Sequence, residues 1–343
     1  MNKQESLINL LKEDAKKVNQ NVSLEPLEGH SIMITGATGL VGLNLVSSLI
    51  EFNNSIENKL SIIAVSFSEA DGVAADLFRY GKVKHLCSDL SDPSSIDKLP
   101  SSNFIIHSAG YGQPGKFMED KLKTFSLNAI GTKELLKKLN KGGSFLFLSS
   151  SEVYSGHPQS LNEESHIGTT DPTHPRACYI EGKRAGETII NIARDEGIRA
   201  SSARLALAYG PGTKPDDKRV LNQLIAKGAQ GKIDLLDDGS AMRTYGYISD
   251  VVVILLKMLI SSEHSTYNVG GKSAISIKEL ACKIGDLMGV EVKVPQNSSF
   301  MKDAPDMVGL NLSRAEREYD LINYVDLEYG LKQTIQWIKT NNE

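Results

Sequence analysis

The sequence predicts an α/β protein: a doubly wound parallel sheet followed by a smaller C-terminal lobe. Three observations carry this. Apolar, β-branched runs alternate with helical stretches through the first 206 residues. A triple-glycine turn, MITGATGLVG (33–42), joins the first of these runs to an apolar helix. Beyond residue 206 the alternation gives way to Gly/Pro turns such as AYGPGTKPDDKR (208–219) and to mixed segments.

In chain order, MNKQESLINLLKEDAKKVNQ reads as an amphipathic helix with Leu7, Leu10 and Leu11 on one side, an accessory packing or oligomer element. It is charged and lacks a signal-peptide core. Strands are expected at 31–35, 60–65, 83–88, 104–109, 144–150 and 199–206, and helices at 40–52, 121–139 and 176–196. The apolar run VVVILLKMLI (251–260) is too short for the ~20 residues of a membrane span and contains Lys257, so it reads as a buried helix. The division is an accessory helix at 1–28, a Rossmann-type nucleotide domain at 29–206 plus about 243–270, and a substrate lobe at 207–242 plus 271–343.

The 343 residues carry a net charge of −4 and no long basic run, which argues against nucleic acid as a partner. No segment suits a membrane span. Cys87, Cys178 and Cys282 show neither paired nor metal-like spacing, and read as reduced thiols of a cytoplasmic protein. No metal site is expected.

In the glycine turn, Gly36 makes the tight turn, Gly39 lets the backbone approach a pyrophosphate, and Gly42 lets the helix pack on the strand. Thr38, Leu40 and Val41 complete the loop and the first helical turn, whose free N–H groups favour phosphate. The spacing is G-x-x-G-x-x-G, and the lysine and hydroxyl of a nucleotide-hydrolysing P-loop are missing. Downstream, YIEGK places Tyr179 and Lys183 on one helix face. An ammonium near a phenol favours the phenolate, so Tyr179 is expected to work as a base near neutral pH. FLFLSSSEVYSG (145–156) ends a strand with Ser150, placed to bond a substrate hydroxyl or the tyrosine oxygen, and with Glu152 two residues on.

TGATGLVG, CSDLSD (87–92), IIHSAG (105–110), LNAIGTKELL (127–136), SSSEVYSG, YIEGK, RLALAYGPG (204–212) and MRTYGYISDVV (242–252) occur in this order. Together they resemble the extended short-chain dehydrogenase/reductases, the NAD-dependent nucleotide-sugar epimerases, dehydratases and decarboxylases, over residues 31 to 320. The resemblance implies a retained NAD, with Asp89 and Leu90 at the adenine, Ala109 along the cofactor path, Asn128 supporting the active site and Lys183 on the nicotinamide ribose. It also implies a homodimer formed through the Tyr/Lys helix. PRACYIEGKRAGE (175–187) and SSEVY are similar to the UDP-glucuronate decarboxylases.

What this implies is oxidation at the sugar 4-hydroxyl with Tyr179 as base and Ser150 orienting that hydroxyl. Carbon dioxide then leaves the 4-keto uronate, and the ketone is reduced again. Glu152 positions the sugar or handles protons. Arg243 contacts carboxylate or diphosphate by paired hydrogen bonds, with Arg176 and Arg219 as further substrate candidates. Epimerisation or 4,6-dehydration of a nucleoside-diphosphate hexose are the alternatives, and a non-catalytic NAD(H)-binding regulator is the remote one. Ser151 stands where dehydratases have an aspartate, and Glu152 where simple epimerases lack an acid.

The chain departs from the family's pattern at Ser66, where an aspartate often binds the adenosine ribose; Glu69 or Asp71 is the substitute expected. It departs again at Leu207, often an asparagine, and at the extra Ser155. His107 reads as a core or backbone-bonding residue, and His157, His166 and His174 as surface residues. Tyr245 and Tyr247 read as packing near the substrate lobe.

Overall fold

The computed structural model describes residues 3–295, 309–321 and 323–342. The strands that matter here are β1 (Ser31–Thr35), β2 (Ser61–Ser66), β3 (Lys84–Cys87), β4 (Ser102–His107), β5 (Leu139–Ser150), β6 (Arg199–Leu205), β7 (Leu207–Tyr209), β8 (Met242–Tyr247), β9 (Thr266–Val269) and β10 (Ser273–Ser276). Seven of them form a parallel sheet in the order β9-β6-β5-β4-β1-β2-β3. The order reverses at β1, so a crevice opens beyond the carboxyl ends of β1 and β4.

Successive strand residues point to opposite faces, and both faces are buried. Ile32, Ile34, Ile62, Ala64, Phe104, Ile106, Leu146 and Leu148 belong to one core, and Met33, Ile63, Val65, Ile105, Phe145 and Phe147 to the other. This explains why these strands read as continuous apolar runs with no polar alternation.

The helices that frame the site are α1 (Lys3–Asn21), α2 (Leu40–Ser55), α3 (Lys121–Asn128), α4 (Ala177–Asp195), α5 (Val220–Ala229), α6 (Ile248–Ile260) and α7 (Leu327–Asn342). The helix expected over 121–139 ends earlier. It breaks at Ala129, where Thr132 donates its hydroxyl to the Asn128 carbonyl, and resumes only over Ile130–Leu136; β5 starts at Leu139. The β4 strand stops at His107, two residues short of its expected end. Helix α6 is buried almost all round, with Lys257 reaching out to donate to the Tyr319 carbonyl. Among the described residues no helix is long and apolar enough to cross a membrane.

A second sheet, in the order β10-β8-β7, lies beyond the carboxyl end of the first. Strand β8 feeds directly into α6, so the two sheets share a junction at Tyr247–Ile248. Helix α1 packs into the main core: Leu7, Leu10 and Leu11 are all buried there, and it contacts α2, α6 and α7. Its buried Asp14 accepts a hydrogen bond from Tyr247 at 2.7 Å, so the N-terminal segment is fastened to the junction of the two sheets.

Candidate active site

The nucleotide end of the crevice is built by backbone. Gly36 has φ +67°, and a Cβ there would lie 2.8 Å from the Ala109 backbone. A Cβ on Gly42 would overlap the Gly36 carbonyl oxygen and come within 2.8 Å of Ala37 Cα. Both positions exclude every other residue. Gly39 differs: a Cβ would meet only Gly36 O, at 3.3 Å. It caps α2 with no side-chain acceptor on the helix's first N–H groups. The absence of a side chain at Gly39 therefore leaves an open approach to a helix N-terminus. Thr38, Leu40 and Val41 sit half-buried around it.

Beside this turn, Thr35 clamps β1 to β4. Its hydroxyl contacts His107 Nδ1 at 2.8 Å and accepts from the Ala109 N–H at 3.2 Å, and the other His107 nitrogen reaches the Leu127 carbonyl at 3.3 Å. Burial, aided by the Lys183 charge, pushes the His107 pKa down to about 3. A neutral, fully bonded imidazole is a structural part, as expected from the sequence. Leu90 is core, and Asp89 stands half-buried at the crevice edge. Burial opposes the Asp89 charge, but hydrogen bonds from Lys123 (2.7 Å) and Ser91 outweigh it and hold its carboxyl below the usual range. Buried Asn128 donates to the Thr124 carbonyl at 2.8 Å, while its Oδ1 has no partner. That oxygen and Lys183 Nζ flank Gly110, 3.8 and 3.4 Å from where its Cβ would stand. A Cβ-free turn, an uncapped helix start and an orphaned buried acceptor at the crevice floor fit a dinucleotide.

The catalytic end is built by side chains. Ser150 ends β5, and its hydroxyl accepts from the Glu152 N–H at 3.2 Å, capping the short helical turn Ser151–Tyr154. Tyr179 and Lys183 lie one turn apart on α4, 8% and 4% exposed, both facing the sheet. Phe117 stacks on the Tyr179 ring at 4.6 Å and 9°. The Ser150 hydroxyl neighbours the Tyr179 phenol and favours its ionised form, and Arg176 pairs with Glu152. Glu152 Oε2 and Arg176 Nε are buried without partners. Burial raises the Glu152 carboxyl against the opposing charges of Arg176 and His174.

One electrostatic expectation is corrected here. Burial pushes Tyr179 up to about 12, countered by the neighbouring Ser150 hydroxyl and the charges of Arg176 and Arg219. Burial also brings Lys183 down to about 7, against the opposing charge of Glu187. Lys183 Nζ donates to the Leu148 carbonyl at 2.6 Å and stands 5.7 Å from the phenol ring centre. Desolvation dominates at Tyr179, and the cations that favour its phenolate are the two arginines.

The structure gathers Ser150, Glu152, Arg176, Tyr179 and Lys183 into one cluster, with Arg219 close enough to bear on both Tyr179 and Tyr245. Arg219 is held by Asp217 through paired bonds of 2.5–3.0 Å. Arg243 lies further out on β8, where it donates to the Met242 carbonyl and influences Tyr245. Two features were not read from the sequence. Phe117 had no motif to mark it. Behind Lys183, Glu187 accepts a double hydrogen bond from Arg204, which also donates to Tyr154 OH at 2.9 Å; Ser149 donates to the same carboxylate. The spacing of Lys183 and Glu187 on one helix face was the signal available for that network.

The NAD dependent epimerase/dehydratase family profile matches residues 32–270, well over half of the chain. The chain belongs to this family. NAD is accordingly its cofactor, and the chain is an enzyme of that class. Among curated relatives, UDP-glucuronic acid decarboxylase 1 of Xenopus tropicalis is 28% identical over 99% of this chain and 79% of its own length. UDP-glucuronic acid decarboxylase 3 of Arabidopsis thaliana is 29% identical over 88% of this chain and 86% of its own. Among solved structures, the UDP-glucose 4-epimerase of Thermotoga maritima superposes with TM-score 0.76 at 22% identity, over 91% of this chain and all of that one, which agrees in fold.

Proposed function

We propose that this family member decarboxylates a nucleoside-diphosphate uronate, with UDP-glucuronate as the first substrate to test, through a transient 4-keto sugar. The observation that carries this reading is Glu152. Among the described residues it is the carboxylate that acts on Tyr179, it sits half-buried against Arg176, and its neighbour Ser151 supplies no acid. Elimination of water calls for a proton donor and acceptor working together, whereas loss of carbon dioxide calls for a ketone two bonds from the carboxylate and a group to protonate the enolate. The names of the relatives support the same reaction.

NAD, when bound, supplies the oxidation at C4 and its reversal. Tyr179 takes the 4-hydroxyl proton and returns it, and Ser150, whose hydroxyl neighbours the phenol, orients that hydroxyl. Asn128 and Lys183 are placed at the crevice floor to hold the nicotinamide ribose. Gly36, Gly39 and Gly42 form the pyrophosphate cradle, and Ala109 shapes its wall. Arg176 and Arg219 favour the phenolate and stand ready for the substrate's anionic groups, with Arg243 further out for the diphosphate.

A second copy is proposed to pair on the face that α3 and α4 leave open, where Leu122 is 82%, Ile192 52% and Phe125 39% exposed. The three unpaired cysteines support a reducing, cytoplasmic setting. Incubation with UDP-, dTDP-, GDP- and CDP-sugars, including UDP-glucuronate, tests the reaction by product mass. Loss of carbon dioxide from a uronate supports it. Interconversion without mass change assigns epimerisation, and loss of water assigns dehydration.

A further inference from the structure

At the carboxyl ends of β2 and β3, away from the catalytic cluster, Glu69, His85 and Cys87 bring a carboxylate, an imidazole nitrogen and a thiol within 4.8 Å of one another. Cys87 Sγ is 3.3 Å from one Glu69 oxygen, and His85 Nδ1 is 3.6 Å from the other.

The hydrogen bonds around Ser66 decide what His85 presents. Ser66 Oγ carries one proton and stands 2.6 Å from the Ser68 carbonyl, which can only accept. That proton is committed to Ser68. Ser66 Oγ also contacts His85 Nε2 at 2.7 Å, and must accept there, so Nε2 carries the ring proton. Nδ1 is left with a lone pair aimed at a carboxylate. Phe78 lies against the imidazole, with ring centres 5.5 Å apart, and fixes its plane. Three electron-pair donors thus converge, and the ring is oriented from behind by a hydroxyl, as metal-bound histidines are.

We propose that Glu69, His85 and Cys87 form a binding site for a divalent cation of the zinc class, open to water at its fourth position. A tetrahedron with bonds of about 2.0–2.3 Å has edges of about 3.3–3.8 Å; the three ligand atoms already lie within 4.8 Å of one another, so rotation of the exposed Glu69 and Cys87 side chains closes them on an ion. Thiolate, imidazole and carboxylate together select Zn²⁺ or Co²⁺ over Mg²⁺ and Ca²⁺. On binding, a metal–sulfur bond forms and the thiol proton passes to buffer. Glu69 is also one of the two residues, with Asp71, expected to take the adenosine ribose in place of an aspartate at Ser66. On the NAD reading given above, an occupied metal site withholds Glu69 from the ribose and weakens cofactor binding.

The test uses the full chain, dialysed against chelator and free of NAD. Co²⁺ titration is expected to give a thiolate-to-cobalt charge-transfer band with one equivalent bound, erased by Zn²⁺. The band disappears in Cys87→Ser and persists in Cys282→Ser. Ser66→Ala, which releases the imidazole, weakens Co²⁺ binding about tenfold. Absence of the band, or its survival in Cys87→Ser, overturns the site. Calorimetric titration with NAD⁺ then separates the two readings. Metal-free protein that takes up no NAD⁺ overturns the cofactor reading while the cobalt band upholds the metal site. With Zn²⁺ at ten times its Kd, NAD⁺ affinity is expected to fall about tenfold in the natural chain and to hold in Cys87→Ser; unchanged affinity in both overturns the shared Glu69.

Discussion

The two ends of the crevice are made by different physics. At the nucleotide end the specification is what cannot be present: a Cβ on Gly36 or Gly42 has nowhere to go, and one on Gly39 would fill the approach to α2. At the catalytic end the specification is what is buried and with whom: Tyr179 under Phe117, Lys183 on the Leu148 carbonyl, Glu152 against Arg176. The first end is set by close backbone contacts. The second is an electrostatic balance in which burial opposes every ionised form and specific partners offset it.

Breaking each end separately sharpens this contrast. The largest effect is expected from Tyr179→Phe, which removes the proton acceptor. Turnover falls about 10²–10⁴-fold while NAD binding, read by calorimetry, is retained; near-normal turnover places the base elsewhere. Gly42→Ala forces the Gly36 carbonyl and α2 apart, costing about 1–3 kcal/mol of stability in denaturant unfolding. Gly39→Ala, with only a 3.3 Å contact to absorb, is expected to unfold almost where the natural chain does and yet to bind NAD more weakly. Equal loss of stability in both variants removes the distinction between cradle and packing.

Glu152→Gln is expected to slow release of carbon dioxide more than the first oxidation. Single-turnover absorbance of the reduced cofactor reads the oxidation, and equal slowing of both steps removes the role assigned to this carboxylate.

A further effect is in stability against pH. Lys183 has a folded pKa of about 7, below its ordinary 10.5. Between these values the unfolded chain binds the extra proton, so this group makes stability rise with pH from about 7 towards 10.5, with a slope of at most about 1.4 kcal/mol per pH unit. Lys183→Met is expected to remove that slope and to be relatively more stable at pH 7 than at pH 10, as read from urea midpoints. A variant with an unchanged pH profile shows that Lys183 keeps its charge in the fold.

The same contrast explains what could be read from the sequence. The β1 turn was legible because glycines leave a direct trace of close backbone approach, and β1, β2, β4 and β5 were legible because both sheet faces are buried. Tyr179, Lys183, Ser150 and Glu152 were legible as a set because each lies within a short run that carries its own spacing. The balance among them was not. Phe117 reaches Tyr179 from a segment more than sixty positions away, and desolvation, which decides both pKa values, depends on the whole fold. The break at Ala129 escaped because it turns on the Thr132 hydroxyl and leaves the apolar pattern intact.

The most direct test follows carbon dioxide from UDP-glucuronate labelled at the carboxyl group, using the natural chain and Tyr179→Phe, each loaded with NAD. Labelled gas from the natural chain, with the nucleotide product lighter by that group and essentially none from the variant, is the expected result. Uronate returned with its label intact, or equal release by both proteins, contradicts the account.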